Sequence, residues 1–413
     1  MYNHYNIIKT IIFTFLFSTL FIAFFFNENS SGGAYPDFLM RTEIINSFNT
    51  NFLSTFLNYD NYPDRHSPII LIIISLLLKT ELDLDSIRFL HLFLVPILII
   101  VSYNCFITKF GKKYNTIFFL IASTIFLSPT IRSISIWPDS RLLGLLLFLS
   151  SLFFFLKFMK KQKFRYTIYN TLLLVASSYV SPNFAVFFFY FFYFFFKHYS
   201  FSNRLYLILG TNLILSLPMF FYLIVLDVNF LSTMAVDNIN LIERLNPANK
   251  ILIISSMIFF YSIPFLFTGI NLTLLKKRLD YKNTFITLII FFVLAYFFTY
   301  SIRYTGGGFF FKLSFILFES KYFFLIISFI SLFYISNFFK LNLNNILIFM
   351  ILIFSNPHLT IYHKYYDPLL MILFFTLFEF NLDIKKLLNK KLVINFYIFS
   401  GIFLVINLLR FIF

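Results

Sequence analysis

Apolar and polar positions sort along this chain into long blocks. Runs of Phe, Ile and Leu begin near Thr10, Phe89, Thr116, Leu142, Tyr166, Phe184, Leu205, Ile251, Thr284, Tyr322, Leu341, Pro368 and Leu392. Many approach the roughly 20 apolar residues that cross a bilayer as a helix. The pattern predicts an all-α polytopic membrane protein of about 13 transmembrane helices, with about 11 as the lower count. Ser181-Pro182-Asn183 breaks one stretch into two short halves, read as a hairpin. The first long gap, Asn27 to Ser86, carries Asp37, Arg41, Glu43, Asp60, Asp64, Arg65 and His66. Within it, Ser67 to Leu78 is apolar for only about twelve residues, too few to cross a core of roughly 30 Å. That segment is predicted to lie along the membrane as a juxtamembrane helix.

With this placement every basic cluster falls on one side: residues 109–113, 157–165, 197–204, 276–282 and 385–391. The positive-inside rule makes that side cytoplasmic, with the N-terminus. The acidic residues, except Asp280, Glu379 and Asp383, then lie outside. Residues 1–413 read as a single integral membrane domain, with 27–87 as its extracytoplasmic loop and no separate soluble domain. The first run reads as an uncleaved anchor rather than a signal peptide, being long for a signal core.

Composition sharpens this. The chain is 60% hydrophobic and 12% charged, far from a soluble domain. Its net charge of +16 sits in short loops, which suits an anionic leaflet and not nucleic acid. One cysteine, Cys105, excludes an intrachain disulfide and a cysteine metal cluster. The expected setting is a bacterial inner (plasma) membrane.

Four segments converge on the outer face. In Gly33-Ala34-Tyr35-Pro36-Asp37, Pro36 can open a helix and Asp37 suits its first turn. Asp37 then reads either as a helix-start partner of Arg41 or as a general base. Asp64-Arg65-His66-Ser67-Pro68 opens the juxtamembrane helix, and His66 alone would be an ordinary interfacial residue. Trp137-Pro138-Asp139-Ser140-Arg141 holds the only Trp; interfacial anchoring accounts for Trp137 but not for Asp139 and Arg141 at the mouth of a span. Late in the chain come Arg303-Tyr304-Thr305-Gly306-Gly307-Gly308 and Tyr362-His363-Lys364-Tyr365. Their cations and hydroxyls suit a lipid phosphate, or equally an aromatic and basic interface belt. The triglycine could bring amides to a phosphate but matches no P-loop.

Together these segments resemble the GT-C superfamily of membrane glycosyltransferases, near the protein O-mannosyltransferases and aminoarabinose transferases. Asp37 resembles the family's first-loop acid and Asp139 its second acid. His66-Ser67-Pro68 resembles the His-Pro-Pro segment, and His363-Lys364-Tyr365 the late basic motif. The first acid lacks an acidic neighbour, the second Pro of the His motif is replaced, and the large outer domain of some relatives is missing. The resemblance implies transfer of a sugar from a polyprenyl-phosphate donor to a lipid-linked or glycan acceptor at the extracytoplasmic face. Asp37 and Asp139 would be catalytic, with Asp37 taking the acceptor proton. Arg41, Arg65, His66, Arg141, Arg303, Tyr304, His363, Lys364 and Tyr365 would bind substrate, with Arg303, Lys364 and Arg141 on the departing phosphate. No cofactor is implied; a divalent cation stays open, since two carboxylates from separate loops do not define a metal site.

A flippase or secondary transporter is the rival from another class. Transporters place ionisable groups near the midplane on broken helices. Here the runs are nearly free of charge, His91 being the clearest exception, and Pro218 and Pro264 lack matching polar partners. A lipid-linked glycan polymerase or ligase shares the same substrates and face.

Overall fold

The computed structural model describes residues 2–62, 64, 66–224, 246–269, 281–304, 306–356 and 358–412. Among these the structure is all-helical, with no strand beyond one isolated bridge between Phe339 and Phe380. Arg65, a predicted substrate contact, and most of the 276–282 basic cluster lie outside the described residues. The chain groups into two compact units, residues 1–233 with 400–413, and residues 234–399.

The first unit runs α1 (Tyr2–Phe25), α2 (Ala34–Thr50), α3 (Ile69–Leu78), α4 (Leu84–His91), α5 (Leu94–Phe110), α6 (Asn115–Ser123), α7 (Pro129–Ile136), α8 (Ser140–Lys161), α9 (Phe164–Val180), α10 (Phe187–Tyr199) and α11 (Asn203–Ile224). The second holds α12 (Pro247–Gly269), α13 (Tyr281–Tyr296), α14 (Gly308–Phe318), α15 (Tyr322–Phe338), α16 (Leu343–Phe354) and α17 (Leu369–Thr376). A last helix, α18 (Lys390–Ile412), starts in the second unit. A helix stands at each predicted run; α14 had no counterpart in the pattern.

Among the described residues, five helical stretches are individually long and apolar enough to cross a membrane: Ile7–Phe25, Leu84–Phe110, Ser140–Lys161, Pro247–Gly269 and Lys390–Leu409. This is compatible with a multi-pass helical membrane protein. A sixth arises if Lys112–Leu127 and Pro129–Ile136, bent by 61°, form one span. The bend has a local cause. Pro129 has no N–H to continue the helix, and Ser128 caps the next one by accepting from Ile131 N at 3.1 Å. The predicted break at Ser181-Pro182 separates α9 from α10 in the same way.

Helices α8 and α9 pair through small and polar residues. Along α8 and α9, Ser177 Oγ donates to Gly144 O at 2.8 Å, and Asn170 Nδ2 donates to Ser151 O at 3.0 Å. Where lipid would surround both helices, close approach and such bonds replace the hydrophobic drive. Phe rings fill the next seam: Phe148 lies 4.6 Å from Phe184 and 4.4 Å from Phe187, between ring centroids.

Gly144 marks a tight point where α8 meets the end of α9, since a Cβ there would lie 2.5 Å from Ser181 Cβ. Gly144→Ala should therefore destabilise the protein by about 1–3 kcal/mol. The readout is a lower thermal midpoint in detergent, with Gly401→Ala, which opens onto empty space, as the unchanged control.

Candidate functional site

The first unit gathers an ion network around Arg41. Helix α2 begins where Asn29 Oδ1 accepts from Ala34 N at 3.2 Å, placing Asp37 in its first turn and Arg41 one turn later. Arg41 turns inward and is 2% exposed. Its Nε donates to Asp64 Oδ2 at 2.7 Å and its Nη1 to Asp139 Oδ2 at 2.9 Å. The loop bearing Asp64 is pinned by Tyr59, whose hydroxyl donates to His66 O at 3.0 Å. Asp139 caps α8 and also receives Arg141, from N and Nε at 2.8 Å and from Nη2 at 2.9 Å. Three separate segments thus meet on one guanidinium.

Asp64 fixes the His66 ring as well. His66 Nδ1 lies 2.5 Å from Asp64 Oδ1. An ionised carboxylate only accepts, so Nδ1 carries the proton and donates. The 3.1 Å approach of Arg41 Nη2 to the same Nδ1 is then a contact between two donors that share Asp64. The His66 side chain is 52% exposed, and Asp37 is half-exposed.

Burial and charge pull against each other here, and charge prevails. Burial favours a neutral Arg41, but Asp139, Asp64 and, more weakly, Asp37 hold its pKa above the ordinary arginine value. Burial pushes the Asp64 carboxyl up, while the His66 hydrogen bond and the Arg41 charge bring it well below the usual range. Asp139 behaves alike, with Arg141 and Arg41 outweighing its burial.

The same unit holds a second buried polar cluster. Arg132, on α7, grips Glu28 through Nε at 2.8 Å and Nη2 at 2.6 Å, both groups being buried. Trp137 is buried rather than an exposed belt residue: its Nε1 donates to Glu28 O at 3.1 Å, and the Arg88 guanidinium sits 3.8 Å from its ring centre. Arg88 also reaches Asn27 Oδ1 at 2.9 Å and Asp85 at 2.7 Å. Sequence reasoning missed Arg88 and Glu28, named Asp64 without a role, and took His91 as the main charge within the runs. A lone Arg132 in Thr-Ile-Arg-Ser-Ile was the available signal, because a charge in an apolar run demands a partner.

In the second unit the two late motifs are joined. Gly307 N donates to Ile361 O at 2.8 Å, and Ile361 N donates to the Tyr300 hydroxyl at 3.1 Å. A Cβ on Gly306 would lie 2.5 Å from Ile361 O, so the triglycine serves close backbone docking. The Gly307 amide is thereby committed to Ile361 and not to a phosphate. The His363 imidazole packs inward, its Nε2 bonding the Tyr261 hydroxyl at 2.8 Å against the ring of Phe260. Arg303 is exposed, Tyr304, Lys364 and Tyr365 are half-buried, and the Lys364 ammonium lies 5.0 Å from the centre of the Tyr362 ring. Lys250, another charge the apolar runs concealed, is buried and donates to Asn356 O at 2.6 Å.

Among the described residues no group of three or more His, Cys, Asp or Glu is placed to hold a metal ion. Asp64 and Asp139 both turn to Arg41 instead. No protein-family model matches this chain, and no curated protein or solved structure matches it significantly.

Removing Arg41 should expose the cost of the two buried carboxylates. Arg41→Met should destabilise by about 3–5 kcal/mol, read as a lower thermal midpoint at neutral pH. The pH dependence has a definite sign. Asp64 and Asp139 titrate lower folded than unfolded, so their stabilisation is present above about pH 4 and is lost as pH falls further. In Arg41→Met the same acidification neutralises stranded carboxylates, so the gap to wild type should narrow. Thermal midpoints of both proteins between neutral pH and about pH 3 check this.

Proposed function

We propose that the chain is a GT-C-type glycosyltransferase that moves a sugar from a polyprenyl-phosphate donor to a lipid-linked or glycan acceptor at the extracytoplasmic face. The observation that carries this reading is the pairing of two half-exposed groups, Asp37 and His66, with a buried Arg41–Asp64–Asp139 salt-bridge network. A carboxylate at that edge can accept a proton from an attacking hydroxyl. The network behind it keeps the geometry fixed, as catalysis requires. Asp139, engaged by Arg41 and Arg141 at the start of α8, acts as a positioning carboxylate in this scheme. The topology proposed with it has about 13 spans, basic loops in the cytoplasm and the Asn27–Ser86 loop outside.

A specific observation favours a second reading, a lipid flippase or transporter. The 61° break before α7 lies beside the buried Arg132–Glu28 pair, and broken helices with intramembrane charge often line transport paths. Product formation separates the two, because a transporter leaves the donor intact.

Asp37→Asn should lower transfer by about 10²–10⁴-fold while leaving the thermal midpoint near that of wild type. Activity with polyprenyl-phosphate hexoses in lipid nanodiscs is the measurement, and near-normal turnover excludes Asp37 as the base. For topology, single cysteines at Asn58 and Lys112 in a Cys105→Ser background should label from opposite sides of sealed vesicles. Labelling from one side overturns the arrangement.

A further inference from the structure

Beside Arg41, the half-exposed His66 has a tightly constrained geometry. Its Nδ1 is committed to Asp64 at 2.5 Å, and Asp64 is itself anchored by Arg41 Nε at 2.7 Å. The ring therefore has one orientation, fixed by a buried carboxylate. Its Nε2 makes no hydrogen bond among the described residues, although the backbone N–H of His66 is also tied to Asp64, at 3.0 Å. A histidine held through Nδ1 with Nε2 turned loose to substrate is the arrangement by which imidazoles transfer protons. Arg41 and Asp64 touch this ring, Asp139 acts on it across Arg41, and Asp37 acts on Arg41. A cation thus sits beside the imidazole, and an anionic substrate group approaching Nε2 would meet favourable charge.

We propose that His66, as the doubly protonated imidazolium, is the general acid of the sugar transfer, donating the proton on Nε2 to the departing polyprenyl phosphate while Nδ1–H stays on Asp64. This rests on the glycosyltransferase reading. The C1–O bond to the phosphate breaks, and its electron pair goes to the phosphate oxygen, which takes the proton from Nε2. The acceptor oxygen forms the new bond to C1, and its proton goes to Asp37. One proton leaves the acceptor and one reaches the phosphate, so the step balances, and both groups exchange with water afterwards. Asp64 is a positioning residue that holds the ring through Nδ1.

The test uses the full chain in nanodiscs with polyprenyl-phosphate hexoses, comparing wild type with His66→Gln over a range of pH. The expected result is a fall in kcat of about 100-fold or more, within the usual range for an acid catalyst. Donor half-saturation should stay within about threefold of wild type, and the alkaline limb of the wild-type rate profile should vanish in the variant. A kcat within about threefold of wild type overturns the proposal. So does a loss confined to donor half-saturation with the pH profile unchanged, which makes His66 a binding group only. An unchanged thermal midpoint distinguishes either result from misfolding, and a shift of that midpoint calls for His66→Asn, judged by the same criteria. Absence of any transfer by wild type overturns the glycosyltransferase reading and this inference with it, whereas active wild type with unaffected His66→Gln overturns this inference alone.

Discussion

A buried guanidinium that must stay charged organises the first unit. Arg41 is nearly without solvent, so its charge is tolerable only while Asp64 and Asp139 both face it. Those partners come from a loop 23 residues away and a helix start 98 residues away. One electrostatic requirement therefore fixes α2, the loop before α3 and the mouth of α8 against one another. Loss of any of the three charges weakens the compensation of the others in a dry setting, although Arg141 still faces Asp139 and His66 still faces Asp64, which makes the cluster cooperative.

This rigidity has a chemical consequence. The buried members cannot swing toward a substrate without abandoning their partners, so the proposed transferase reading assigns the reacting roles to the half-exposed groups at the edge. Asp37 sits in the field of Arg41, and His66 is oriented by Asp64. Rigid ionic scaffolding of this kind differs from the flexible midplane charges of many carriers. The Arg132–Glu28 pair repeats the principle elsewhere in the unit, where Trp137 and Arg88 stack beside it.

The second unit solves its polar problem mainly with neutral groups. Asn249 Oδ1 accepts from Thr299 N at 3.0 Å and from Tyr300 N at 3.1 Å, and the Tyr300 hydroxyl in turn holds Ile361 N. Irregular backbone between apolar helices needs such partners, because an unsatisfied amide away from water costs several kcal/mol. The glycines at 306 and 307 let the two late segments approach closely enough to make these bonds.

The sequence by itself determined where most of the long apolar helices lie, α14 excepted, because a long apolar run needs only its own backbone bonds and an apolar environment. It also determined local breaks, since Pro129 and Pro182 act on their own helices. The short helix Ile69–Leu78 and the helix-start position of Asp37 were legible for the same local reason. Only the tertiary structure decided what the charges do. Arg41 reads as a neighbour of Asp37 along the chain, yet its hydrogen-bonded partners are Asp64 and Asp139. Trp137 reads as a surface anchor, yet packing buries it against Arg88 and Glu28. Long-range ion pairing depends on which helix faces meet, and a pattern of apolar runs carries almost no information about that.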